Sequence, residues 1–263
     1  MAEILIPRPA STVLTVRDGV DGYEILMLRR NLNSDFVGGA YVFPGGGVDE
    51  SDAAPETLAL AQGLDEEQAS RRLGLEGGGL AYYVACLREL FEEAGLLIAC
   101  GADGERFHSE DHALRLRMAQ YRRAVNEGSL RFVDMLEREG LRMDLRGLEY
   151  LAHWVTPVGP PRRYDTRFFV VEAPPGQIAA HDAGETVADT WIRPVDALAQ
   201  CERGELEMIF PTIRNLEAIA HLRSASEVLS YARAQVSIPR TEPRIIERDG
   251  ALTIVVPGDP GYD

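Results

Sequence analysis

Three glutamates, Glu89, Glu92 and Glu93, have the spacing that places side chains on one face of a helix. The apolar residues of this segment fall on the opposite face: Val84, Leu87, Phe91 and Ala94. Exposed carboxylates at this spacing repel by about 0.2–0.5 kcal/mol per pair, so the face favours a cation, part of which Arg88 can supply. Oxygen ligands suit a hard divalent ion. The pattern therefore predicts a Mg²⁺ or Mn²⁺ site, with a solvated acidic face as the alternative.

The residues around this helix match a known motif. Residues 88–96, Arg-Glu-Leu-Phe-Glu-Glu-Ala-Gly-Leu, match the second half of the Nudix box, G-x5-E-x7-R-E-U-x-E-E-x-G-U, where U is apolar. Residues 43–46, Phe-Pro-Gly-Gly, resemble the loop that opens the box. The chain thus resembles Nudix hydrolases, which hydrolyse a nucleoside diphosphate linked to another group. The resemblance implies that Arg88 locks the acidic face and that metal is held by the Gly46 carbonyl, Glu89, Glu92 and Glu93.

The first half of the box departs from its usual spacing. The box glycine precedes the arginine by 14 residues, whereas Gly46 precedes Arg88 by 42, an insertion of 28. Eight residues before Arg88, where the box has its first glutamate, stands Leu80. That acid is therefore absent or is supplied from the insertion by Asp49, Glu50 or Asp52.

The two insertions suggest a branch of the family. One insertion before the helix and a second, helical one after it are similar to the coenzyme A diphosphatase branch related to the peroxisomal enzyme. Further similarity runs through residues 26–30, 42–46, 154–157 and 162–169. In the coenzyme A signature of a neighbouring branch a second arginine is present, and here that position is Asp35. A carboxylate cannot hold phosphate as an arginine does, which weakens the coenzyme A assignment but not the diphosphatase chemistry.

Three arginines are candidates for binding the substrate phosphates. Arg162, Arg163 and Arg167 follow a stiff Gly-Pro-Pro loop that should place them at the start of a strand. Guanidiniums fixed there would orient a diphosphate and stabilise charge on its leaving phosphate. The alternative is a solvated strand face on which arginine alternates with aspartate. Arg30 is a further candidate.

The resemblance also implies one acid outside the box, as a fourth ligand or general base. Glu185 resembles the acidic loop residue before the tryptophan strand of these enzymes, with Asp182 and Asp189 as runners-up. An exposed loop acid without a catalytic role is the alternative for Glu185.

Composition excludes several classes of protein. The 42 acidic and 27 basic residues give a formal charge of -15, which argues against non-specific nucleic-acid binding. All the basic residues are arginine, which codon usage explains for most of them. Three cysteines form no CxxC pair and predict reduced thiols in the cytoplasm. No apolar run is long enough for a membrane helix.

The predicted elements suit an α+β fold. Strands are predicted at 12–16, 23–29, 151–155, 167–172 and 190–192, and helices at 65–73, 80–94, 213–222 and 227–234, with 103–147 largely helical and broken at Gly128 and Gly140. The resemblance implies the Nudix α/β/α sandwich around a mixed sheet. We expect one domain over 1–235, with insertions at about 48–79 and 103–147, and an extended tail over 236–263 whose apolar run at 252–256 provides core or a homodimer interface.

These observations predict a metal-dependent diphosphatase. Its substrate would be coenzyme A or acyl-coenzyme A, cleaved to 3',5'-ADP and a 4'-phosphopantetheine product. Another diphosphate derivative, such as ADP-ribose or NADH, is the nearest alternative. A Nudix-fold ligand sensor without turnover is disfavoured because the glutamate triplet is intact.

Overall fold

A computed structural model describes residues 5–32, 38–109, 111–182, 184–248 and 250–262. Its strands are β1 (Arg8–Gly19), β2 (Gly22–Arg30), β3 (Tyr41–Val42), β4 (Gly45–Gly47), β5 (Ala61–Gln62), β6 (Ala99–Gly101), β7 (Leu141–Asp144), β8 (Glu149–Val155), β9 (Tyr164–Glu172), β10 (Thr186–Ile192), β11 (Arg240–Thr241), β12 (Arg244–Arg248) and β13 (Ala251–Val255). Its helices are a 3₁₀ turn (Glu50–Ala53), α1 (Pro55–Leu58), α2 (Glu66–Leu73), α3 (Gly79–Ala94), α4 (His112–Asn126), α5 (Phe132–Glu139), α6 (Pro194–Glu202), α7 (Phe210–Ile219) and α8 (Ala225–Arg233).

The main sheet is mixed. Its strand order is β10-β2-β1-β9-β8-β11, with β3 paired to β2 and β4 paired to β1. The pairs β1–β9 and β8–β11 are parallel, and the other pairs are antiparallel. Strands β2 and β4 pair with the same edge of β1. Strand β2 pairs with residues 16–19 of β1, and the glycine strand β4 pairs with residues 10–12.

Successive apolar residues of the central strands point to opposite faces of the sheet, so each face has its own core. On one face Val13 and Leu28 pack with residues of α3 such as Leu87. On the other face Leu14 and Met27 pack with residues of α6, α7 and α8: Ala197, Leu216, Ile219 and Val228. This arrangement is the predicted α/β/α sandwich around a mixed sheet, so the predicted fold class is confirmed.

The second insertion is less helical than predicted. Helices α4 and α5 lie within 103–147, but Leu141–Asp144 is a strand, so the helical prediction is wrong there. Leu141 and Met143 are buried whereas Arg142 is exposed, a period of two that suits a strand. Strand β7 pairs with β5 of the first insertion and with β6, which makes the two insertions parts of one small sheet.

The tail returns to the main sheet. Strand β11 adds to β8 in parallel, and β12 and β13 form a separate hairpin. The predicted apolar run therefore begins within β13, where Val255 is buried while Leu252 is exposed. Among the described residues, no helix is long and apolar enough to cross a membrane.

The packing of α3 predicts a large effect of Leu87→Ala. Leu87 is 1% exposed in the core between α3 and the sheet. Its truncation should lower the free energy of unfolding by about 2–5 kcal/mol, because it removes apolar contacts and leaves a cavity. Urea unfolding measures this, with Val195→Ala on the exposed side of α6 as control. Equal effects of the two changes would contradict this packing.

Candidate active site

The carboxylate face predicted from the sequence lies on α3, against the glycine strand β4. Oε2 of Glu93 accepts a hydrogen bond from the Gly45 backbone N–H at 2.9 Å. A Cβ atom at Gly46 would lie 2.4 Å from Oε1 of Glu89, so no other residue fits there without displacing that carboxylate. The structure thus brings Gly46 and the glutamates together, as the motif implies.

Arg88 lies on the polar face of α3 but is buried, and it is the centre of an ion network. It donates to both oxygens of Asp52, with Nε–Oδ1 at 2.8 Å and Nη2–Oδ2 at 2.9 Å. It also donates to Oε1 of Glu89 at 2.8 Å, to Oε2 of Glu92 at 3.2 Å and to the Gly47 carbonyl at 2.9 Å. The guanidinium therefore ties β4, the first insertion and two of the three glutamates together.

Asp52 occupies the place of the first box glutamate. It is 1% exposed and pairs with Arg88 through both oxygens, whereas Asp49 is exposed and reaches Arg88 only at 3.5 Å. Asp52 follows Gly46 by six residues, which is the G-x5-E spacing of the box. The extra residues therefore lie between Asp52 and Arg88. Counting forward from the glycine, and not back from Arg88, identifies this acid from the sequence.

Burial makes the three glutamates difficult to ionise together. Burial, reinforced by the charge of Glu89, raises the pKa of Glu93 well above its ordinary value. Burial also raises the pKa of Glu89 to about 7, although Arg88 opposes this shift, and raises that of Glu92. Ionised carboxylates in such a setting need a positive partner. The site therefore has an electrostatic demand for a cation beyond the single charge of Arg88.

The donor set fits a hard divalent ion. Within the described part of the chain, no three His, Cys, Asp or Glu side chains are already arranged as a ligand set. However, the contacts described engage one oxygen each of Glu89, Glu92 and Glu93. The second oxygen of each carboxylate can serve a cation, and all-oxygen donors suit Mg²⁺ or Mn²⁺.

Glu185 lies in an exposed loop before β10 and close to this site. Its charge adds to the burial that raises the pKa of Glu93. The loop is joined to the end of β2, since Asn31 N–H donates to the Glu185 carbonyl at 2.9 Å. Arg30 is paired with Thr186 in the sheet. It lies near Glu93, and its positive charge opposes the rise in the pKa of Glu93.

The two runner-up acids have local partners. Asp182 accepts from the Thr186 hydroxyl at 2.6 Å and from its N–H at 2.8 Å, which shapes the loop. Asp189 accepts from Nδ1 of His181 at 2.7 Å. Of the three acids, Glu185 is thus the one whose side chain has no such structural contact described. Asp35, which weakened the coenzyme A assignment, lies outside the described residues.

The three candidate phosphate arginines differ in burial and in their contacts. Arg163 is buried and donates to the carbonyls of Thr156 at 3.0 Å and Leu5 at 2.6 Å, and it pairs with Glu242 of the tail. Arg163, which directly precedes β9, thus contacts both the segment before β1 and the tail.

Arg167 is also buried, whereas Arg162 is exposed. Arg167 pairs with Asp165 and lies over the Tyr82 ring of α3 at 4.8 Å. A solvated face of alternating charges is therefore wrong for Arg163 and Arg167. Both buried guanidiniums are thus held by contacts within the protein.

Comparison with known proteins agrees with this geometry. The model of the NUDT19 Nudix domain matches residues 64–219. "Acyl-coenzyme A diphosphatase NUDT19" of Xenopus laevis is 25% identical, over 94% of this chain and 73% of that protein, and its Gallus gallus counterpart is 27% identical over 91% and 73%. The crystal structure of a NUDIX hydrolase from Alicyclobacillus acidocaldarius is 27% identical with a TM-score of 0.68, covering 89% of this chain and 98% of that one.

The Arg88 network predicts a large effect of Asp52→Asn. The change leaves a buried guanidinium without its bidentate partner, and we expect a loss of about 3 kcal/mol in the free energy of unfolding. Asp49→Asn is the matched control, with an expected loss below about 1 kcal/mol because Asp49 is exposed. Urea unfolding of both variants measures the difference. Losses of the same size would show that Asp52 is not the principal partner of Arg88.

Proposed function

The chain belongs to the NUDT19 Nudix domain family of Nudix hydrolases, and from this premise we propose that it hydrolyses the diphosphate of coenzyme A or acyl-coenzyme A. The observation that carries the proposal is the set of three glutamates on α3 against Gly45 and Gly46, of which Glu93 is buried and Glu89 and Glu92 are partly exposed. The curated relatives are named as acyl-coenzyme A diphosphatases, which favours this substrate class over other diphosphates. The intact triplet favours turnover over ligand sensing.

In the proposed mechanism, Glu89, Glu92, Glu93 and the Gly46 carbonyl hold the metal. A bound divalent cation supplies positive charge to the diphosphate oxygens and makes water more acidic. Water attacks one phosphorus in line, the new P–O bond forms, and the bridging P–O bond breaks. Glu185 accepts the proton of the attacking water. The products are 3',5'-ADP and 4'-phosphopantetheine or its acyl derivative.

The remaining residues position the reactants. Arg88 holds Glu89 and Glu92 in place through the buried network with Asp52. Arg30, which lies near Glu93, and the exposed Arg162 are the arginines that we propose for the substrate phosphates. Arg163 and Arg167 would act on the substrate only indirectly, by fixing the start of β9.

The finer assignments rest on different observations. Mg²⁺ or Mn²⁺ is proposed because the ligand set is all oxygen. A cytoplasmic location is proposed because all three cysteines are unpaired. We further propose a single Nudix domain over 1–235 with a C-terminal tail, and a homodimer. We propose no nucleic-acid partner, because the acidic charge of the chain disfavours one.

A substrate panel tests the activity. Coenzyme A, acyl-coenzyme A, ADP-ribose and NADH are incubated with the protein and Mg²⁺ or Mn²⁺, and products are separated by chromatography. We expect 3',5'-ADP from the first two, loss of turnover with EDTA, and recovery on adding metal. Preference for ADP-ribose or NADH would move the assignment to that substrate class, and no turnover on any compound would contradict the enzyme.

Glu93→Gln tests the metal role. Loss of one ligand charge should lower kcat at least about 100-fold, since even outer-shell changes at metal sites cost about 10–100-fold. Glu67→Gln, on the exposed side of α2, is the control and should keep full activity. Full turnover of Glu93→Gln would contradict the ligand assignment.

Gly46→Ala tests the close contact between β4 and the Glu89 carboxylate of α3. The added Cβ would contact the Glu89 carboxylate at 2.4 Å, and a displacement of about 1 Å can cost roughly 100-fold in rate. We therefore expect kcat to fall about 10–100-fold. Gly47→Ala is the matched control, because the nearest atom to its added Cβ is 4.0 Å away. Equal kcat values for the two variants would contradict this close contact.

A further inference from the structure

The C-terminal end of α3 is held from the second insertion. Helix α3 stops at Gly95, whose φ of +70° lies in the left-handed region, so its last carbonyls lack the usual intrahelical donors. The Glu92 carbonyl instead accepts from Nε of Arg122 at 2.8 Å and from Nδ2 of Asn126 at 3.1 Å. Both donors belong to α4, one turn apart. Two side chains of an insertion thus satisfy one backbone atom of the carboxylate helix.

The Glu92 carbonyl lies between two of the proposed metal ligands. It belongs to the peptide group that joins Glu92 to Glu93. Its rotation would move both carboxylates relative to Gly45 and Gly46. A donor on this carbonyl therefore acts on the ligand geometry directly and not only on the length of the helix.

The charge of Arg122 suits this place. A cation at the C-terminal end of a helix is favourable, because the helix dipole is negative there. Burial lowers the pKa of the Arg122 guanidinium, and the nearby carboxylates of Asp182, Glu93 and Asp189 oppose that shift. Its Nη2 atom is buried and has no hydrogen-bond partner among the described residues. Arg122 therefore stands between α3 and the loop that carries Glu185.

We propose that Arg122 and Asn126 are positioning residues for the metal-binding carboxylates, acting through the Glu92 carbonyl. The inference rests on the proposed function, since it concerns the same site. In this view Arg122 and Asn126 of the second insertion fix the last turn of α3 from outside the sandwich. The adjacent loop fixes the same turn from the other side, where Ala180 N–H donates to the Ala94 carbonyl at 3.0 Å.

The experiment compares Arg122→Met, Arg122→Lys and Asn126→Ala with Arg123→Met, a control at the next and exposed position of α4. We expect Arg122→Met to lower kcat about 10–100-fold with KM changed less than about 3-fold, as for supporting residues of metal sites. Mn²⁺ binding, followed by electron paramagnetic resonance without substrate, should weaken about 10-fold. Arg122→Lys should recover only part of the loss, because lysine keeps the charge but not the planar donor.

The outcomes separate this inference from the proposed function. Mn²⁺ affinity and kcat of Arg122→Met at the level of Arg123→Met would overturn it, as would a rise in KM alone, which would place Arg122 on the substrate. Asn126→Ala, which removes one donor and no charge, provides the same test if Arg122→Met fails to fold. A wild-type chain that turns over no panel substrate would contradict the function, while the Mn²⁺ measurement would still decide the role of Arg122.

Discussion

One buried guanidinium connects the parts of this structure that the chemistry needs. Arg88 contacts the glycine strand through Gly47, the first insertion through Asp52 and its own helix through Glu89 and Glu92. A buried charge is costly unless its hydrogen bonds are complete, and here every nitrogen of the guanidinium donates. Lysine could not substitute, because a single ammonium cannot present donors in the planar fork that Asp52 accepts. The arginine of the motif is thus a geometric requirement of the carboxylate site.

The insertions enlarge the fold without loosening this arrangement. The first supplies Asp52 and then returns to α3 through α2, and the second supplies the donors on the Glu92 carbonyl. They also pair with each other through β5 and β7, and Arg131 of the second insertion donates to Glu56 of the first at 3.1 Å. Each insertion therefore contacts the carboxylate helix and the other insertion. Extra chain of this kind supports a site from outside the sandwich, where the sheet cannot reach.

Local patterns predict those parts of the molecule that depend on neighbouring residues. The period of α3 predicts its apolar and acidic faces, and short apolar runs on either side of a turn predict β1 and β2. The strand at Leu141–Asp144 escapes prediction because four residues carry too little periodicity to oppose the helical character around them. Contacts between residues far apart in the sequence cannot be predicted for another reason. Arg163 meets Leu5 and Glu242, and Arg122 meets Glu92, only once the chain has folded, so spacing alone cannot identify them.

The contacts of Arg163 have a consequence for how the chain is connected. Its guanidinium binds the Leu5 carbonyl and the Glu242 carboxylate together, so segments separated by most of the sequence are neighbours in space. Segments that meet in this way can be linked directly by a short connection in a circular permutant whose new ends open in an exposed loop. The turn at Gly128, between α4 and α5, is exposed and suits such an opening. A permuted chain opened there would keep the main sheet uninterrupted while separating the two helices of the second insertion.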